Sequence, residues 1–213
     1  MKLRVLSFLL VLITLCTLML ASCGKDPRFD TPLYEIPRRW SAERAYEYVQ
    51  KNDYVVLYQY KLISGGELWD AFYEKTRRGE PAEVLLARYY TIDPANYGEE
   101  YYEEIKHNYP VLYVSYLVYD GETYTLQVRN STRIYLDSED TYPYLVHSVG
   151  QYKNSRVTYD FDWYALTDIP NLTRELYDQL HFSSDWEDVE KLRQTRPVYE
   201  THANRTVDGV PED

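Results

Sequence analysis

The sequence contains little cysteine, few basic side chains and no familiar catalytic motif. Two of its 213 residues are cysteines, too few for a network of disulfides. Lys and Arg number 23 against 34 Asp and Glu, so the formal charge is −11, and no basic stripe could neutralise nucleic-acid phosphates. The four histidines lack metal-ligand spacing, and no GxSxG, P-loop or GxGxxG motif occurs. We therefore expect no nucleic-acid partner, no metal, no cofactor and no enzymatic activity.

The first 23 residues have the pattern of a bacterial lipoprotein signal. Lys2 and Arg4 precede an apolar run over residues 5–19, which leads into Leu20-Ala21-Ser22-Cys23. Cleavage before Cys23 makes it the first mature residue, where lipoproteins carry diacylglycerol on the thiol and an acyl chain on the amino terminus. An uncleaved membrane helix is the alternative, but a usual span needs roughly 20 apolar residues. We predict a signal peptide over residues 1–22 and lipidation of Cys23.

This signal predicts a location outside the cytoplasm, with lipid on Cys23 anchoring the protein to the cell membrane. In a single-membrane host that is the outer face of the cytoplasmic membrane. Removing residues 1–22 leaves 191 residues and, because Lys2 and Arg4 are lost, changes the formal charge from −11 to −13. Cys16 leaves with the signal and Cys23 carries lipid, so the folded part has no thiol for a disulfide, a metal site or a nucleophile.

The mature chain divides by composition into three parts. Residues 23–39 are rich in proline and charge and predict a tether, residues 40–182 predict a globular domain, and residues 183–213 predict a polar C-terminal extension. Apolar periodicity predicts helices near 42–51, 67–78, 99–107 and 171–180, and strands near 54–60, 83–93, 112–118, 122–130, 141–152 and 155–166. The predicted fold class is α+β, an antiparallel sheet of about five to six strands packed against two or three helices.

The hairpin around Asp120-Gly121 allows two strand registers. A two-residue turn would place the polar row of the second strand beside the apolar row of the first. A three-residue loop, with Gly121 in the left-handed region, aligns two apolar rows instead. These rows are Leu112, Val114, Tyr116 and Val118 on one strand and Tyr124, Leu126 and Val128 on the other. We predict this bulged register because it groups apolar side chains on one face.

Five short segments between Ala45 and Arg133 carry a resemblance to a known family. They are Asn52–Val56, the 68–79 helix with Phe72, Tyr90–Ile92, Tyr119–Gly121 and Asn130–Arg133. In these segments the chain resembles small lipoproteins of Gram-positive bacteria that contain a domain of unknown function. That family supplies no catalytic residues, so the resemblance implies a location in the cell envelope and nothing more specific.

The sequence holds 25 tyrosines, an unusually high number. Tyrosine packs its ring while its hydroxyl reaches water, so these residues suit the edge of a small core, and they also suit a recognition surface. The acidic segment 94–110 has the least need of them for packing. We therefore predict that Tyr101, Tyr102 and Tyr109 bind a ligand, either a cell-wall glycan or an envelope protein.

These features predict a non-catalytic binding or interaction module. The alternative is an envelope hydrolase that uses Asp160 and Asp162, which lie on one face of a strand about 7 Å apart. A structural or signalling spacer is a third class. A concave pocket holding close carboxylates with raised pKa values would favour the hydrolase, whereas a flat aromatic patch would favour the binding module.

Overall fold

The structure is a computed structural model that describes residues 31–154, 157–207 and 210–211. The predicted signal peptide, Cys23 and the predicted tether as far as residue 30 lie outside these residues. The chain divides into two units at residues 35 and 36. In the first unit, a short 3-10 helix covers Pro32–Tyr34. Among the described residues, no helix is long and apolar enough to cross a membrane.

The second unit combines five α-helices with ten strands in its described part. The helices are α1 (Ala42–Val49), α2 (Gly66–Arg77), α3 (Glu99–Ile105), α4 (Arg174–His181) and α5 (Trp186–Lys191). The strands are β1 (Val55–Tyr58), β2 (Lys61–Ser64), β3 (Ala82–Tyr90), β4 (Val111–Tyr119), β5 (Tyr124–Asn130), β6 (Ser138–Tyr142), β7 (Tyr144–Lys153), β8 (Val157–Thr167), β9 (Thr195–Val207) and β10 (Val210–Pro211).

These strands form two sheets. The first has the order β2-β1-β3-β4-β5-β6 and the second the order β10-β9-β8-β7. Pro143 alone separates β6 from β7, so the chain passes directly from one sheet to the other. The predicted α+β class is confirmed. The first sheet differs from the predicted antiparallel one because β1 and β3 are parallel, joined by a crossover through β2 and α2.

Local chemistry explains where the first two helices begin. Ser41 caps α1 by accepting a hydrogen bond from the backbone N–H of Arg44. Gly65 precedes α2 with φ of +78°, and a Cβ atom there would lie 2.3 Å from the carbonyl oxygen of Tyr54. Gly65 is therefore required both for its left-handed backbone and for this close approach.

The principal core lies between the first sheet, α2 and the second sheet. At its centre the Trp69 ring stacks on Tyr199 of β9 with ring centroids 4.7 Å apart, and Tyr164 of β8 meets it edge-on at 5.0 Å. The opposite face of the first sheet is covered by α1, where Tyr46 stacks on Tyr89 at 4.2 Å. Both faces of the first sheet are therefore covered.

A smaller core lies on the other face of β8. Trp163 and Ala165 pack there with Leu172 and Leu192, which flank α4 and α5. The end of β8 from Trp163 to Thr167 is consequently buried on both faces.

The predicted bulged register of β4 and β5 is wrong. Tyr124, Leu126 and Val128 lie opposite Tyr119, Leu117 and Ser115, across a four-residue loop in which Gly121 has φ of +108°. The prediction assumed that only one face of the hairpin is covered. In the structure Leu112 and Val114 are buried on the face covered by α1, while Leu117 and Leu126 enter the principal core. Both apolar rows are therefore buried, and the pairing does not need a bulge to bring them to one face.

The folded unit extends beyond the boundaries 40–182 at both ends. Ile36, inside the predicted tether, is buried, and its carbonyl accepts a hydrogen bond from the buried Arg129. Inside the predicted polar extension, β9 pairs along β8, and its Val198 and Tyr199 are part of the principal core. Both segments were missed because their few buried residues are surrounded by polar or charged neighbours that face solvent.

Candidate ligand-binding cleft

A cleft of about 640 Å³ opens between the first sheet and β9. Leu86, Arg88 and Tyr90 of β3 line it together, because alternate residues of a strand project to the same face. On β4, Tyr113 lies opposite Arg88 and Ser115 opposite Leu86. The remaining walls come from β5, β9, the start of β6 and two connecting segments, and they include Leu126 and Val128, Arg196, Pro197 and Val198, Ser138, Asn108 and Tyr109, and Arg133 and Asp137.

The cleft is apolar at its base and polar towards solvent. Leu86 and Leu126 at the base belong to the principal core and are almost fully buried. Tyr90 and Tyr113 are half-buried with ring centroids 6.2 Å apart, and Arg133 and Arg196 are exposed. An apolar base with a few polar groups above it is the usual construction of a small-ligand site.

Two of the arginines of the cleft have partners within the protein. Arg133 donates from Nη1 to Oδ1 of Asp137 at 2.8 Å, and the other carboxylate oxygen accepts from the backbone N–H of Asn130 at 2.7 Å. Arg196 lies near Tyr142: burial and the charge of Asp140 raise the pKa of this phenol, and the charge of Arg196 lowers it in part. Arg133 is thus neutralised by a carboxylate, whereas the phenol near Arg196 is neutral.

Arg88 projects from β3, close to the end of that strand. Its side chain is half-buried, and its Nη2 lies 3.4 Å from the carbonyl oxygen of Pro197, a long hydrogen bond. No carboxylate forms an ion pair with Arg88 in the part of the chain that the structure describes. A positive charge therefore lies inside the cleft without an ion-pair partner among the described residues.

The loop that carries Arg133 is held in place by Arg129. This arginine is 1 % exposed and donates from Nη1 to the carbonyl oxygen of Arg133 and from Nη2 to that of Ile36, both at 3.0 Å. Because a buried guanidinium needs such acceptors, the loop and the start of the folded unit are fixed by one side chain.

The structure places one of the three predicted tyrosines in the cleft. Tyr109 lines it, next to the Tyr109–Pro110 peptide bond, which is cis. Tyr101 lies on α3 outside the cleft, 54 % exposed, with its ring 5.8 Å from that of Tyr97. Tyr102 is half-buried on the same helix and does not line the cleft.

Asp160 and Asp162 each interact with separate partners. Asp160 accepts hydrogen bonds from Gln151 at 3.0 Å and from Asn204 at 2.6 Å, and these bonds lower its pKa. Asp162 lies 2.8 Å from Nε2 of His147. A general acid needs a raised pKa, so the shift at Asp160 has the wrong direction for the hydrolase alternative.

A smaller pocket of about 270 Å³ shares Arg88, Tyr90 and Pro197 with the cleft. Its other three charged side chains are paired with one another, because Arg174 bonds both Asp178 and Glu200. Burial raises the pKa of Glu200, but hydrogen bonds and charge from His202 and Arg174 outweigh it and lower the pKa. No cluster of three or more His, Cys, Asp or Glu suited to a metal ion occurs among the described residues.

Sequence reasoning missed the arginines of the cleft. The alternation Val84, Leu86, Arg88, Tyr90 was a usable signal, since a charged residue interrupts an apolar row. Arg196 lies in the segment that was predicted as a polar extension, so nothing connected it to β3. The proximity of these arginines depends on the pairing of β9 with β8, which is set by tertiary packing.

Comparison with known proteins yields no relative: no family model, no curated protein and no solved structure matches the chain.

Proposed function

We propose that this chain is a non-catalytic binding module, held outside the cytoplasm by lipid on Cys23, and that the cleft is its ligand site. The observation that carries the proposal is the cleft itself, a concavity with an apolar base, three tyrosines and three arginines. Its volume of about 640 Å³ falls within the range of small-ligand sites, roughly 300–1,000 Å³.

The composition of the walls supports binding rather than packing alone. Tyr90, Tyr109 and Tyr113 are half-buried, so part of each ring remains available at the cleft. Rigid amphipathic rings give contact area at a small entropic cost, and arginine adds directed hydrogen bonds. The ligand that this proposal favours is a cell-wall glycan, and an envelope protein is the other outcome of the test.

Retention on isolated cell wall tests the proposal, with solubilised envelope proteins as a parallel bait. We expect Tyr109→Ala to weaken binding about tenfold, equivalent to about 1.4 kcal/mol. Tyr101→Ala is the matched control, because Tyr101 is exposed and lies outside the cleft. Equal binding by the two variants would contradict the cleft as the site.

Membrane attachment has its own test. The lipid anchor requires the thiol of Cys23, so Cys23→Ala should release the protein or mislocalise it when membranes are fractionated. Cys16→Ala is the control, since Cys16 lies within the apolar part of the signal. A Cys23→Ala protein that stays fully membrane-bound would refute the anchor.

A further inference from the structure

The cleft has the opposite charge to the chain as a whole. Arg88, Arg133 and Arg196 line it, and Asp137 is the one carboxylate among its lining residues in the described ranges. The whole chain has a formal charge of −11. Positive charge confined to a concave site with low-dielectric walls attracts anions locally, even on an acidic protein.

The net positive charge comes from Arg88 and Arg196, since Arg133 is paired with Asp137. A half-buried guanidinium whose protein partner is a carbonyl oxygen 3.4 Å away is only partly compensated for its loss of water. A carboxylate or phosphate would supply oxygens that accept two parallel hydrogen bonds from a guanidinium. Arg88 on β3 and Arg196 on β9 line the cleft from two different strands.

The other groups of the cleft match a sugar. Hydroxyl and amide side chains of Asn108, Ser115 and Ser138 accompany the tyrosine rings, and Ser138 Oγ is a buried hydroxyl with no hydrogen-bond partner in the described structure. Sugars present apolar C–H faces to aromatic rings and hydroxyl groups to such side chains. These polar side chains can therefore contact sugar hydroxyl groups while the tyrosine rings contact the C–H faces.

We infer that the cleft binds an acidic saccharide, whose carboxylate or phosphate group is held by Arg88 and Arg196 while its sugar rings contact Tyr109 and Tyr113. This inference rests on the proposed function and specifies the chemical class of its ligand.

Titration calorimetry on the purified full-length chain in detergent tests the inference with two matched pairs of probes. Digalacturonate is compared with neutral galactobiose, and glucose 1-phosphate with glucose. We expect the acidic member of at least one pair to bind about tenfold or more tightly than its neutral counterpart. Raising the salt from about 0.05 M to about 0.5 M should weaken the acidic probe only. The pair that shows the difference distinguishes a carboxylate from a phosphate ligand.

Charge-neutralising variants assign the effect to the cleft. Arg88→Gln and Arg196→Gln should each weaken the acidic probe about tenfold or more. Arg193→Gln is the matched control, because Arg193 is exposed, pairs with Glu190 and does not line the cleft. If Arg88→Gln alters the far-UV circular dichroism, the comparison uses Arg196→Gln only, because Arg196 is exposed.

Three results would overturn the inference: no acidic probe binds, the neutral probes bind equally well, or Arg196→Gln binds as tightly as Arg193→Gln. If the acidic probes fail while Tyr109→Ala still weakens retention on cell wall, the ligand is neutral and the proposed function stands. If Tyr109→Ala also has no effect, the proposed function fails as well.

Discussion

Replacing Trp69 by alanine tests whether β9 packs on α2 in the principal core. Trp69 is 1 % exposed and contacts the rings of Tyr199, Tyr164 and Phe72 at centroid distances of 4.7, 5.0 and 5.7 Å. Truncating a buried tryptophan costs about 3–5 kcal/mol, and three aromatic contacts place this site at the upper end. We therefore expect a loss of about 5 kcal/mol, which is a large part of the roughly 5–15 kcal/mol by which a domain is usually stable.

Urea unfolding followed by far-UV circular dichroism measures this loss. Trp186→Ala is the matched control, because Trp186 is 72 % exposed and its removal should change the free energy of unfolding by less than about 0.5 kcal/mol. Equal losses in the two variants would refute the reasoning. Combining Trp69→Ala with Tyr199→Leu should show a coupling of about 1 kcal/mol, whereas additive effects would show that β9 does not pack on α2.

Three further predictions concern backbone, buried charge and pH. Gly65→Ala should lower the free energy of unfolding in urea by about 2 kcal/mol or more. Gly79→Ala should lower it by about 1 kcal/mol, because Gly79 has φ of +70° but open space for a Cβ atom. Equal losses would contradict the close contact of residue 65 with Tyr54. Arg129→Met, which keeps an unbranched apolar stem but removes the guanidinium and its hydrogen bonds, should lower the free energy of unfolding by about 3 kcal/mol. A loss under about 1 kcal/mol would count against the role of Arg129. Because the pKa of Glu200 is lowered on folding, its stabilising contribution is present above the usual glutamate pKa of about 4.3 and is lost as the pH falls through the lowered value. Glu200→Gln should therefore flatten the loss of stability between about pH 5 and pH 3, and unchanged pH dependence would disprove the effect.

Local patterns were sufficient for much of the fold. The helices predicted near 42–51 and 67–78 and the strands predicted near 141–152 and 155–166 depend on neighbouring residues, and the structure has α1, α2, β7 and β8 at these places. The periodicity of apolar residues predicts a helix or strand well when one of its faces is buried and the other is exposed to solvent.

Elements buried on both faces were harder to predict. The register of β4 and β5 depends on α1 covering one face and the second sheet covering the other, and no local pattern shows this. The same holds for β8, whose end is buried on both faces, so that Tyr164 lies in the principal core on the face that also carries Asp160 and Asp162. Alternation alone identified the two rows and not their environments.

The candidate site was predictable only in part. Tyr109 was chosen because segment 94–110 had no evident packing role, and it does line the cleft. The arginines come from β3, from the loop after β5 and from β9, which are far apart in the sequence. Their convergence follows from sheet order and from the packing of β9, so it required the tertiary structure.

The central claim is that the cleft of an anchored module holds its ligand. Photocrosslinking on intact cells tests it most directly, with a photoreactive phenylalanine analogue in place of Tyr109 in one strain and of Tyr101 in another. The account predicts a saccharide adduct on residue 109 and little on residue 101, since only the first lines the cleft. Equal adducts at both positions, or an adduct at residue 101 alone, would contradict it.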